Sequence, residues 1–210
     1  MQISTMNMLE QGRLPAYSFD SRMKLKEHDL NGIVEELQDL LPGVVPDGIE
    51  IKIDLADCEL RVMTDAVKLT GALLNLVGNA GDALSPGGRL TLSTRRIRFA
   101  DDIMGCSMAY ASNGCALISI SDTGAGMDQS IRERIFEPFF TTKEGCRGLG
   151  CTLARRIVES LNGRISVESA VDAGTDVRVY LPLIKNDLMR AIPIALPASF
   201  SASPLRSIYL

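Results

Sequence analysis

The chain has 210 residues, with 22 Lys+Arg against 26 Asp+Glu, one His and a formal charge of −4. That length suits one domain of ordinary size, which buries about 70% of the surface its unfolded form exposes and needs no disulfide staples. The acidic balance excludes a basic nucleic-acid footprint or a polybasic membrane reader, and 46% hydrophobic against 23% charged residues excludes a disordered chain.

Residues 1–28 are polar and mixed, and Pro15 interrupts any long helix there. Asp29 then precedes Leu30, Ile33, Val34, Leu37, Leu40 and Leu41, one face of a helix capped by Asp29 and stopped by Pro42-Gly43. Ile49, Ile51, Ile53 and Leu55 alternate with Glu50, Lys52 and Asp54, which predicts a half-buried strand, and a short strand follows over 60–63. Thr64-Asp65 caps a long helix running to about Leu84, ended by Ser85-Pro86-Gly87-Gly88. Residues 89–99 form a strand and 100–114 a loop of small residues, and the strand 115–121 runs into Asp122-Thr123-Gly124-Ala125-Gly126. A short helix over 128–136 and an aperiodic stretch over 137–147 come next. Leu149, Leu153, Ile157 and Leu161 then mark a helix closed by Asn162-Gly163. Strands over 164–169 and 176–181 make a hairpin, and from Lys185 the chain has no period and reads as a loosely ordered tail. Strands interleaved with three substantial helices give an α/β or α+β layered domain.

Five cysteines form an odd set without C-x-x-C spacing, which points to free thiols in a reducing compartment and to no zinc site. No apolar run approaches the roughly 18 residues of a membrane span, and MQISTMNMLEQGR is no signal peptide. A cytoplasmic location without membrane contact from this segment is the expectation.

Three stretches carry chemistry. In the long helix, Leu69, Leu73, Leu76, Ala80 and Leu84 share the core face, while Asn75, Asn79 and Asp82 line the opposite stripe. A solvent face is the ordinary explanation, but Gly71, Asn75, Gly78, Asn79, Gly81 and Asp82 are all poor helix formers, each costing up to about 0.7–1 kcal/mol against Ala. A ligand face explains them better, with small residues admitting the ligand and amide oxygens suited to a hard cation such as Mg²⁺. Asp122 follows Ile118 and Ile120 on one strand face, so its carboxylate lies in or beside the core, where a ligand amino group is a fitting partner. Gly124 and Gly126 allow a tight turn and close approach of a flat ligand; the competing explanation is an Asx turn. Finally, the glycines of the stretch 136–150 lead into a helix whose free N–H groups suit phosphate, although the P-loop pattern is absent. A flexible connection plugged by Phe139-Phe140 is the alternative there.

Together and in order, these segments resemble the ATP-binding catalytic domain of sensor histidine kinases, within the wider gyrase, Hsp90 and MutL-like ATPase superfamily. NLVGNAGDAL looks like the N box, DTGAGM like the G1 box, EPFFTTK like the F box, GLG like the G2 box and GTDVRVYLP like the closing strand. Asp82 after Asn-Ala, with the F box, is similar to the nitrogen-regulator-like branch. The resemblance implies an α/β two-layer sandwich of the Bergerat type, a mixed sheet with helices on one face, over residues 29–184. Residues 1–28 would be a linker and the end of a phosphoacceptor hairpin helix, and 185–210 a C-terminal tail.

The resemblance also implies ATP and Mg²⁺ as cofactors. Asp122 would accept from the adenine amino group with help from Thr175, and Gly124 and Gly126 would line the pocket. Asn79 would ligate Mg²⁺, supported by Asn75, with Asp82 and Thr141 at the nucleotide. Lys143 and the backbone of Gly148, Leu149 and Gly150 would face the phosphates. Two departures are visible. The lid GCRGLGC is shorter and poorer in glycine than the family's G-x-G-T-G-L-G-L. The single His28 lies only 47 residues before Asn75, too close for a phosphoacceptor hairpin.

The reading is therefore a histidine kinase core whose acceptor histidine is missing here or supplied in trans. Its partners would be that domain and a response regulator, in a full-length homodimer. A nucleotide-binding pseudokinase or docking module is the alternative suggested by the altered lid. An ATPase clamp ranks last, since Asn75 stands where a water-activating Glu would be needed.

Overall fold

The computed structural model describes residues 22–97 and 114–184. The loop 100–113 and the tail 185–210, like any hairpin helix before residue 22, lie outside them. Seven strands are β1 Lys26–Asp29, β2 Glu50–Asp54, β3 Arg61–Thr64, β4 Arg89–Ile97, β5 Cys115–Asp122, β6 Arg164–Ser169 and β7 Thr175–Pro182. The α-helices are α1 Leu30–Gln38, α2 Ala66–Ala83, α3 Gln129–Arg134 and α4 Gly150–Ser160.

Five strands form a mixed sheet in the order β2-β4-β5-β7-β6, with β2–β4 parallel and the other pairs antiparallel. The alternation of β4 and β5 decides which face is covered. Leu90, Leu92, Ile118 and Ile120 are buried against α1, α2 and α4, in one cluster with Leu30, Leu37, Leu69, Leu73, Val158 and Leu181. The opposite face carries ion pairs such as Arg178–Glu168 at 2.8 Å and Arg89–Glu50 at 2.9 Å. A sheet with one apolar face and helices stacked on it is the two-layer sandwich expected.

Two capping aspartates fix the helices that matter. Asp29 caps α1, and its Oδ1 accepts from Asn31 N at 3.3 Å and from Leu60 N at 2.9 Å, so one carboxylate starts a helix and anchors a distant loop. Asp65 does the same for α2, accepting from Lys68 N at 3.2 Å and from Lys24 N at 2.9 Å. Buried Thr94 completes the first junction, donating to Asn31 Oδ1 at 2.6 Å and accepting from Ala56 N at 2.9 Å.

Three expectations change. Residues 26–28, assigned to the linker, belong with Asp29 to a strand: β1 pairs antiparallel with β3 in a separate two-stranded ribbon, His28 opposite Val62. Helix α1 stops at Gln38, Leu40 is 46% exposed, and a 3-10 turn over Leu41–Gly43 buries Leu41 instead. Ile51 of β2 is 38% exposed, because β2 is the sheet edge and only its β4 side is covered.

Asp29→Ala removes a cap and leaves the Leu60 N–H without its partner. It should cost about 1–2 kcal/mol of stability. The check is urea denaturation, with a lowered midpoint at unchanged slope.

Candidate functional site

Strand β5 carries Asp122 on the same face as Ile118 and Ile120, and the carboxylate is only 6% exposed. Its Oδ1 accepts from Gly124 N at 2.8 Å, and the Thr175 backbone N–H of the paired strand also favours its charge. Burial outweighs both and pushes the carboxyl above its ordinary value. Gly124 is required by close approach, since a Cβ there would stand 2.4 Å from Ala83 O at the end of α2. The turn is sewn to both neighbours: Ala125 N donates to Ala83 O at 3.1 Å, and Asp172 N donates to Ala125 O at 2.7 Å. Gly126 in turn packs on the Ala170 carbonyl. These glycines therefore serve backbone-on-backbone packing in the first place.

Thr175 lies opposite Asp122 in register, but its hydroxyl engages Ser169 Oγ at 3.0 Å. Ser169 also accepts from Met127 N at 2.8 Å, so it closes the turn onto β6. The sequence offers no signal for Ser169, a lone serine at a strand end.

Helix α2 buries Leu69, Ala72, Leu73, Leu76, Val77 and Ala80, and leaves its asparagine stripe on another side. Asn75 is half-buried beside Gly150, where a Cβ would lie 3.7 Å from Asn75 Cβ. Asn79 is exposed and donates from Nδ2 to Cys151 Sγ at 2.9 Å. Burial pushes the Cys151 thiol up, so it stays protonated at neutral pH, a weak acceptor for an amide. Two of the small residues have another purpose. A Cβ at Gly78 would lie 3.5 Å from Val44 and one at Gly81 3.2 Å from Pro46, so they let the segment after the 3-10 turn seat against α2 rather than admit a ligand.

The connection between α3 and α4 folds back over this stripe. Lys143 Nζ reaches Asp82 Oδ2 at 2.6 Å, an ion pair across 61 positions of sequence. Thr141 Oγ1 accepts from Lys143 N at 3.1 Å, setting the local turn. Gly148 takes φ +65 with Phe140 O only 2.5 Å from where a Cβ would be, and its carbonyl accepts from Phe139 N at 3.0 Å. Phe139 adopts φ 66 and is 75% exposed, so it is no plug; Phe140 instead lies under the Arg134 guanidinium, 4.2 Å from its centroid. Leu149 precedes α4 without a side-chain cap, which leaves the N–H groups of the first turn facing outward from the helix end. Arg147 is exposed in the same connection.

The turn after Asp122 thus meets the end of α2 at Ala83, while Asn75, Asn79 and Asp82 along that helix meet Gly150, Cys151 and Lys143. A groove of about 390 Å³ opens at the Asp122 end of the sheet, lined by Asp122, Thr175, Ser121, Arg132, Ser169 and Asp176 among others, with neither Asn79 nor Lys143 in its wall. The connection is instead drawn down onto α2 by the Lys143–Asp82 pair. Among the described residues no three His, Cys, Asp or Glu side chains converge on a metal position. The contact to Cys151 uses Asn79 Nδ2, and the Asn79 amide oxygen is a hard donor of the kind Mg²⁺ takes together with a ligand's own oxygens.

The chain matches the family of histidine kinase-, DNA gyrase B- and HSP90-like ATPases over residues 64–185. Sensor kinase CckA of Brucella abortus strain 2308 is 33% identical over 186 residues, 87% of this chain and 20% of CckA. Sensory histidine kinase/phosphatase NtrB of Vibrio alginolyticus is 30% identical over 166 residues, 77% of this chain and 45% of NtrB. The chain thus spans less than half the length of either relative. The solved catalytic domain of histidine kinase ThkA superposes with a TM-score of 0.61 at 26% identity, over 77% of this chain and 97% of that one. ThkA in complex with the response regulator protein TrrA gives a TM-score of 0.60 at 23% identity, over 86% and 47%.

The raised Asp122 carboxyl has a consequence for the free chain. The folded form keeps this proton to higher pH than the unfolded chain, whose aspartates titrate near 3.9. Stability is therefore lost as pH rises from that value through the folded one, and the ionised carboxylate remains a standing cost above it. Asp122→Asn should erase this loss, with a melting temperature at pH 7 equal to or above that of the parent chain. Calorimetry between pH 4 and 8 checks it, and a clear fall at pH 7 would mean that the charge is compensated without a ligand.

Proposed function

The chain belongs to the histidine kinase-, DNA gyrase B- and HSP90-like ATPase family and carries the ATP-binding catalytic domain of a sensor histidine kinase; on that premise we propose that it moves the ATP γ-phosphoryl group to a histidine of a phosphoacceptor domain outside the described residues. One observation supports this above the rest: the turn that follows the buried Asp122 carboxylate packs on Ala83, the last residue of α2, while Lys143 from distant sequence pairs with Asp82 on the asparagine stripe of the same helix. Each matches a need of the reaction. Asp122 accepts from the adenine amino group, which compensates the buried charge. Thr175 adds its backbone N–H to Asp122, and Gly124 and Gly126 keep the pocket floor thin. Asn79 would ligate Mg²⁺, with Asn75 behind it, and Lys143 and the backbone of Gly148, Leu149 and Gly150, where α4 begins, would face the phosphates. Thr141 fixes the turn that carries Lys143. When bound, Mg²⁺ offsets phosphate charge and orients the terminal phosphoryl group.

Two features argue for transfer rather than hydrolysis and for an acceptor elsewhere. Asn75 cannot take a proton from water at neutral pH. His28 is locked into β1 opposite Val62, not carried on a helix that could present it. The partners of this reading are the histidine domain and a response regulator, the latter supported by the ThkA–TrrA complex, in a cytoplasmic homodimer. No helix among the described residues is long and apolar enough to cross a membrane. The short, glycine-poor connection favours a second reading, a nucleotide-binding docking module.

The test is labelled ATP with the chain, with and without a two-helix histidine domain. Acid-labile label should appear on that domain, and Asn79→Ala should lower its rate about tenfold or more through lost metal affinity. Strong self-labelling abolished by His28→Ala would overturn the assignment of the acceptor. ATP binding without transfer to any such domain would favour the docking module.

A further inference from the structure

An acidic side chain beside a polyphosphate site is adverse on its own, because like charges repel most where water is partly excluded. Asp82 nonetheless stands on the same stripe as Asn79, one helical turn further on. Its carboxylate meets Lys143 Nζ at 2.6 Å. We infer that Asp82 is a positioning residue: its ion pair docks the connection 137–149 onto α2 before nucleotide arrives and holds the Lys143 ammonium toward the terminal phosphate. The inference rests on the nucleotide-site reading above.

Three observations carry it. Lysine is a flexible stem with a point charge, and it loses much rotamer freedom when it is fixed. Here both ends are held, the backbone N–H by Thr141 Oγ1 at 3.1 Å and the tip by Asp82. An ammonium has three N–H donors, so one spent on Asp82 leaves two for phosphate oxygens. The pair is also the side-chain link between the connection and the last turn of α2, alongside the Asn79–Cys151 contact at 2.9 Å from the neighbouring start of α4. Both groups are partly exposed, at 37% and 56%, so the pair adds little to global stability and its loss should not unfold the chain.

The experiment uses the whole chain and Asp82→Asn, Lys143→Met and the double variant. Without nucleotide, tryptic cleavage after Arg147, in the exposed connection, should quicken about two- to fivefold in Asp82→Asn at an unchanged melting temperature. With Mg²⁺ present, calorimetry gives the ratio of ADP to ATP dissociation constants. That ratio should fall about two- to fivefold in Asp82→Asn, similarly in Lys143→Met, and no further in the double variant, as residues acting as one unit behave. Unchanged cleavage in Asp82→Asn would overturn the docking role, and additive losses would show Asp82 acting on the metal or nucleotide by itself. If the parent chain binds neither nucleotide, the site reading fails and the presenting role of Asp82 with it, while the cleavage arm still decides whether Asp82 docks the connection.

Discussion

A carboxylate on the apolar face of a central strand is the constraint around which this domain is arranged. Asp122 ends β5 where the sheet is still covered by helices, so water reaches it only through the groove and the protein supplies donors. Two backbone N–H groups do so, from Gly124 in the turn ahead and from Thr175 on the adjacent strand. Both demand close backbone packing: the turn lies against the last residue of α2, and the β6–β7 turn lies against the strand end. The surroundings of Asp122 are therefore specified by main-chain contacts.

Helix α2 shows a division of labour. Its leucines hold the sheet and α1, and Asn75, Asn79 and Asp82 of its poorly helix-forming stripe stay out of the core. A helix that accepts that cost over a full 18 residues is stabilised by burial on its other sides. The stripe is then used twice, by an amide that reaches the start of α4 and by a carboxylate that reaches the connection.

Much of this was legible in the sequence because it is local. The Asp29 and Asp65 caps, the alternation of β4 and β5, the β6–β7 hairpin and the depth of Asp122 all follow from residues within a few positions of one another. What was missed is long-range. Lys26-Glu27-His28-Asp29 has no apolar alternation of its own and becomes a strand because β3 pairs with it 35 positions later in the chain. Gly78 and Gly81 look like ligand residues until the segment at Val44–Pro46 is placed against them. Ser169 and Cys151 acquire partners only when separate elements meet. Phe139, taken for an apolar plug, points to solvent because Gly148 occupies the space behind its peptide.

The ribbon of β1 and β3 joins the first and last segments of the described fold. Asp29 is paired with Arg61, and the Arg61 carbonyl accepts from Ile184 N at 3.0 Å, with Val62 bridged to Leu183. Asp29 and Ile184 thus lie on either side of one short strand, about 10 Å apart at the usual spacing of strands. Taking β3 out would therefore release both ends of the described fold at once, the first strand and the segment after the last.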